Sequence, residues 1–217
     1  VDLAQARCYG YFYCCEKGLT EIRLQLTYCS LETEEIRRFR CDETAKELEV
    51  WFRSVLYEYF KWARYQYHHE IIRDRSIREL MFPYPYREGQ RDLVISVYRT
   101  IQRGKKLYIQ APTGIGKTLS TIYPAIRSIG EGKGEKLFYL TAKTVTRTVA
   151  EESLSILRER GLIFTSVTIT AREKLCPFEE KICDPDVCPR AKGHYDRVNE
   201  AVFDILHLEQ DITQQKI

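Results

Sequence analysis

The sequence predicts an α/β protein in which a parallel sheet is flanked by helices. The first observation is a strand, helix, strand, helix, strand rhythm between residues 106 and 170. A glycine-rich loop sits where the first strand hands over to a helix. The composition, 44% hydrophobic and 30% charged, is enough to bury a core and excludes a disordered or collagen-like chain.

The elements follow in chain order. Residues 3–13 read as a helix, and 21–28 alternate polar and apolar side chains at period two, the pattern of a half-buried strand. Residues 34–41 are expected to return as its hairpin partner. From Asp42 onward, Leu48, Trp51, Phe52, Val55, Tyr59, Trp62 and Ala63 recur at helical spacing, so a long helix should lay an apolar, core-forming face on that sheet. Pro83 and Pro85 then interrupt any helix and set a domain boundary near residue 81. Charge changes at the same place. Residues 1–85 hold 13 basic and 14 acidic side chains, and the remainder holds 21 and 17.

Beyond the boundary, residues 87–103 are helical in pattern, and Lys106 to Gln110 is a short β-rich run. A helix over 117–129, a glycine turn, a second strand over 136–141, a helix over 144–160 and a third strand over 165–170 complete the rhythm.

Residues 111–118, Ala-Pro-Thr-Gly-Ile-Gly-Lys-Thr, fit the phosphate-loop pattern with Ala111 in place of the first glycine. Thr113, Gly114, Ile115 and Gly116 offer backbone N–H groups to phosphate oxygens, and the helix that follows adds the positive end of its dipole. In this pattern Lys117 reaches the β- and γ-phosphates of a nucleotide, and the Thr118 hydroxyl ligates Mg²⁺.

No apolar run approaches the length of a membrane span, and the first residues lack a signal peptide's layout, so a cytoplasmic protein is expected. The chain begins at Val1 and contains no Walker B Asp-Glu after the phosphate loop; the one such dipeptide, Asp42-Glu43, lies upstream. A piece of a longer protein is expected. Eight cysteines fall in two groups: Cys8, Cys14, Cys15, Cys29 and Cys41, and then Cys176, Cys183 and Cys188. The first group has no ligand spacing and reads as small buried hydrophobes. The second, C-x6-C-x4-C, has the thiolates that select an Fe–S cluster or zinc, though either usually needs four; unligated thiols are the third reading. His194 reads as a surface histidine.

Three stretches together, Tyr86-Arg87-Glu88-Gly89-Gln90, the phosphate loop, and Leu140-Thr141-Ala142-Lys143-Thr144, resemble the first three motifs of superfamily 2 helicases, most nearly the XPD/DinG-like group. The resemblance implies a P-loop RecA-like motor domain over 81–217, cut short before its second half. It implies ATP and Mg²⁺ as cofactors and single-stranded or forked DNA as partner. Gln90, with Arg87 nearby, would read the adenine edge, and Thr141 and Lys143 would touch the DNA backbone. That group carries a 4Fe–4S cluster in an insertion after the third strand, here about 171–217. Cys176, Cys183 and Cys188 would be three of its ligands, with the fourth beyond Ile217 and basic side chains such as Arg172, Lys174 and Arg190 facing phosphates. Gln5 and Tyr9, one helical turn apart, resemble the Q-x-x-x-Y helix that ends the core of RecB-type PD-(D/E)XK nucleases. Residues 1–80 would then be the C-terminal part of a nuclease-like domain, whose metal-binding residues would lie before Gln5.

Overall fold

The structure, a computed structural model, describes residues 2–142, 144–213 and 216. It divides into two compact units, residues 1–67 and 68–217.

In the first unit, helix α1 (Asp2–Lys17) carries Asp2 in its first turn and Lys17 in its last, both favourable to the helix dipole. Gly18, at φ 65°, ends it, and the Leu19 N–H returns to the Cys14 carbonyl at 3.1 Å. Strands β1 (Glu21–Cys29) and β2 (Ile36–Thr44) form an antiparallel hairpin in register from Glu21↔Thr44 to Cys29↔Ile36. The return strand therefore runs two to three residues later than its composition suggests. Thr44 and Glu47 form a capping box that starts α2 (Ala45–Glu79): the Glu47 N–H donates to Thr44 Oγ1 at 3.2 Å and the Thr44 N–H to Glu47 Oε2 at 2.9 Å. The Thr44 N–H and then the Thr44 hydroxyl, which also donates to Glu47 Oε2 at 2.7 Å, hold the Glu47 carboxyl below its ordinary pKa.

Cys14, Leu24 and Leu48 are the buried centre of this unit. Gly10 lets α1 approach β1, because a Cβ there would sit 2.8 Å from Leu24 Cδ2. The expectation that the aromatic stripe of α2 is core holds only for its first turns. Leu48 is fully buried, but Val55 and Tyr59 are exposed, because the two-strand hairpin is too narrow to cover a helix of 35 residues.

The boundary lies within α2 instead of near residue 81, and the reason is packing. Ile77 and Leu80 join the core of the second unit with Leu119, Ile122, Ile126, Ile129 and Leu157. There follow α3 (Gln90–Gln102), α4 (Lys117–Gly130), α5 (Thr144–Glu159), β3 (Ser166–Val167), α6 (Arg172–Leu175), α7 (His194–Leu208) and β4 (Asp211–Ile212). Helix α4 is the central element. Its apolar side chains at 119, 122, 126 and 129 are buried, each contributing about 1.5–3 kcal/mol. Ser120 and Ser128, also buried, donate to the carbonyls four residues back, of Gly116 and Pro124, both at 2.9 Å. Arg127 of α4 caps the end of α2, donating to the Ile77 and Arg78 carbonyls at 2.8 and 2.9 Å.

Among the described residues the expected parallel sheet is reduced to one two-strand pair. Residues 106–110 and 136–141 carry no strand, and 165–170 contribute only Ser166 and Val167, which pair in parallel with Asp211 and Ile212. A strand exists only through a paired neighbour. Without one, the apolar side chains that such a strand would bury stand in solvent, among them Tyr108, Phe138 and Leu140.

Candidate nucleotide-binding site

The phosphate loop lies between residues 110 and 117 and runs into α4, as the sequence predicts. Gly114 and Gly116 adopt φ of 85° and 80°, a left-handed backbone that other residues enter at a cost of roughly 1–2 kcal/mol. Gly116 is the N-cap residue of α4, and its carbonyl accepts the first helical bond, from the Ser120 N–H at 3.0 Å. The N–H groups of Lys117, Thr118 and Leu119 therefore have no partner within the helix and are free for an anion. Lys117 lies across the loop. Its Nζ donates to the carbonyls of Ala111 at 3.0 Å and Pro112 at 2.8 Å, which uses two of an ammonium's three donors. Thr118 sits half-buried in the first turn of α4.

Arg87 and Gln90, assigned by resemblance to the adenine edge, are both brought to this loop. Gln90 is 5% exposed. Its Nε2 donates to the Ile115 carbonyl at 2.9 Å and its Oε1 accepts from the Arg87 N–H at 3.1 Å. The Arg87 guanidinium donates to the Gly114 carbonyl. The loop residues thus have a second wall, which spacing alone did not reveal. Thr141 is exposed, and Lys143 lies outside the described residues.

One curated relative, a "Probable ATP-dependent helicase" of Methanocaldococcus jannaschii, is 36% identical over 78 residues. That stretch is 36% of this chain and 12% of the relative, so the chain spans only a small part of that protein. No protein-family model matches the chain, and no solved structure matches it.

The cysteine segment is a different case. Cys176 follows the single turn α6, its N–H donating to the Arg172 carbonyl at 3.0 Å; Cys188 starts a turn that accepts from the Ala191 and Lys192 N–H groups at 3.1 and 3.0 Å. Both are half-buried, and Cys183 is exposed. Among the described residues no group of three or more His, Cys, Asp or Glu side chains is arranged to hold a metal. The three thiols as placed do not fit a 4Fe–4S cluster or a zinc ion. His194 is exposed, in line with its reading as a surface residue.

What the segment does have is a closed neck. Arg158 of α5 donates to the carbonyls of Phe164 at 2.9 Å and Gln210 at 2.8 Å and to Ser166 Oγ at 2.7 Å, with Asp211 3.6 Å away. It ties the chain entering the cysteine segment to the chain leaving it.

In the first unit, Gln5 and Tyr9 are both exposed on α1. The buried polar group there is Glu43, paired with Arg7 at 2.6 Å, while the Arg7 guanidinium also lies 5.6 Å from the Trp51 ring centroid. The N-terminal cysteines do not behave as one class. Cys14 is buried, but Cys15 and Cys29 are exposed, because they fall on the solvent sides of α1 and the hairpin end. Burial and then the Glu43 carboxylate push the Cys41 thiol above its ordinary pKa. Among the described residues no helix is long and apolar enough to cross a membrane.

Proposed function

We propose that this chain carries the ATP-binding part of the first motor domain of an XPD/DinG-like DNA helicase, whose longer form couples ATP hydrolysis to movement along single-stranded DNA and unwinding of duplex, in DNA repair or recombination. The supporting observation is the phosphate loop itself: two left-handed glycines, an open helix N-terminus and Lys117 within one turn of each other. The similarity to a probable ATP-dependent helicase supports the same class.

On this reading, loop N–H groups and the α4 N-terminus hold the β- and γ-phosphates. Lys117 exchanges its carbonyl partners for phosphate oxygens, and Thr118 supplies a hydroxyl ligand to Mg²⁺, which neutralises phosphate charge when bound. A P-loop RecA-like α/β organisation of the second unit belongs to this proposal, as does a nuclease-like origin for the first unit, supported by Gln5 and Tyr9 on one face of α1.

Nothing in the chain after the loop supplies a Walker B pair to place the attacking water. The chain by itself should therefore bind Mg–ATP weakly and hardly turn it over. Binding is to be measured by calorimetric titration and turnover by phosphate release. Loss of binding in Lys117→Ala is the expected result; hydrolysis by the wild-type chain clearly above that variant would overturn the reading.

A further inference from the structure

Three successive loop residues meet residues 87–90, where the chain enters α3. The Gly114 carbonyl accepts from the Arg87 guanidinium and the Ile115 carbonyl from Gln90 Nε2 at 2.9 Å. A Cβ on Gly89 would lie 3.6 Å from Ile115 Cδ1, so the Ile115 side chain packs against that glycine. The Gln90 amide also covers Gly116, where an added Cβ would be 2.7 Å from Nε2. Gln90 is itself fixed, through Oε1, to the Arg87 N–H.

A trans peptide holds its carbonyl and the following N–H in one plane, pointing in opposite directions. Fixing the Gly114 and Ile115 carbonyls against residues 87–90 therefore turns the N–H groups of Ile115 and Gly116 to the opposite side of the loop. Those N–H groups are what a phosphate loop presents to its anion. The amide of Gln90 still has one donor and one lone pair uncommitted, so contact with a base is compatible with this arrangement.

We infer that Gln90 is a positioning residue for the phosphate loop, aiming the Ile115 and Gly116 peptide planes so that triphosphate binding depends on it whether or not a base is attached. This rests on the phosphate-loop reading above. A residue that only read adenine would act on ATP alone.

The test is calorimetric titration of the chain with inorganic tripolyphosphate, ATP and GTP, each with Mg²⁺, for wild type, Gln90→Ala, Gln90→Met and Lys117→Ala. Methionine keeps the buried volume and removes both hydrogen bonds. Loss of one aligning bond should weaken all three ligands by roughly ten-fold, with the ATP to tripolyphosphate and ATP to GTP affinity ratios unchanged and the circular-dichroism melt intact. If ATP binding falls while tripolyphosphate stays within about two-fold, Gln90 is a base reader and the inference is overturned, with the site left standing. If wild type does not bind tripolyphosphate, or Lys117→Ala binds it as well as wild type does, the phosphate-loop reading fails and takes the inference with it. Should neither Gln90 variant fold, the residue holds the fold and not the loop, which also overturns the inference.

Discussion

Arg158→Met removes the clasp at the neck of the cysteine segment while keeping most of the aliphatic stem. The side chain is 15% exposed and its guanidinium meets two backbone carbonyls and one hydroxyl at 2.7–2.9 Å. Burial lowers its pKa and Asp211 opposes that shift, but an arginine remains charged in any ordinary assay. Net contributions of hydrogen bonds from a charged donor run about 1.5–3 kcal/mol each. Phe164 and Ser166 are half-buried and Gln210 is exposed, so water can replace the lost donor and the low end applies to all three bonds. The pair with Asp211, whose side chain is 34% exposed, adds under about 1 kcal/mol. Three bonds at the low end and that pair sum to about 4.5–5.5 kcal/mol for the second unit. For a body of this size that corresponds to a midpoint lowered by roughly 9–22 °C. Chemical denaturation gives the free energy. Limited proteolysis gives the location, since cleavage between residues 172 and 208 should accelerate more than cleavage in α4. A loss below about 1 kcal/mol, or faster cleavage spread evenly over the unit, would refute the clasp.

Further outcomes are expected elsewhere. Gly116→Ala places a Cβ against Gln90 in a left-handed backbone, so it should cost about 2 kcal/mol of stability and at least ten-fold in ATP affinity, both readable by melting and titration. His69 of α2, 3.1 Å from Thr165 Oγ1, is held below its ordinary pKa by burial first and then by Arg73. The folded state thus favours neutral imidazole, and stability should be full above about pH 6.5 and fall as pH drops from there toward the lower folded-state pKa. Urea midpoints at pH 7.5 and 5.5 should differ less in His69→Gln than in wild type. Thiol labelling at neutral pH should modify the exposed Cys15, Cys29 and Cys183 first and Cys14 and Cys41 last, by mass spectrometry of peptides. Iron bound near four per chain after anaerobic preparation would contradict the ungathered placement of Cys176, Cys183 and Cys188.

Local signals in this chain were legible where the information is local. The phosphate loop needs only two glycines at left-handed φ and a helix start, and both lie within a few residues of Lys117. The capping box at Thr44 and Glu47 and the buried stripe of α4 are equally short-range. The strand expectations depended instead on partners distant in sequence. Lys106 to Gln110 and residues 136–141 have β-forming side chains, but composition does not provide the neighbouring strand that turns propensity into a ladder. The same limit separates the two halves of α2, whose periodicity is continuous although only Leu48 and Ile77, near its ends, are fully covered. Gln90 is the instructive case for function. A glutamine 25 residues before Ile115 reads as a base reader by resemblance or as a surface residue by composition, and neither reading anticipates an amide whose two ends are both bonded to backbone. Its buried position follows from the close approach of α3 and α4, a tertiary fact. The residues proposed to bind a nucleotide are thus written in the loop, while the contacts of Gln90 with that loop are recoverable only from the fold.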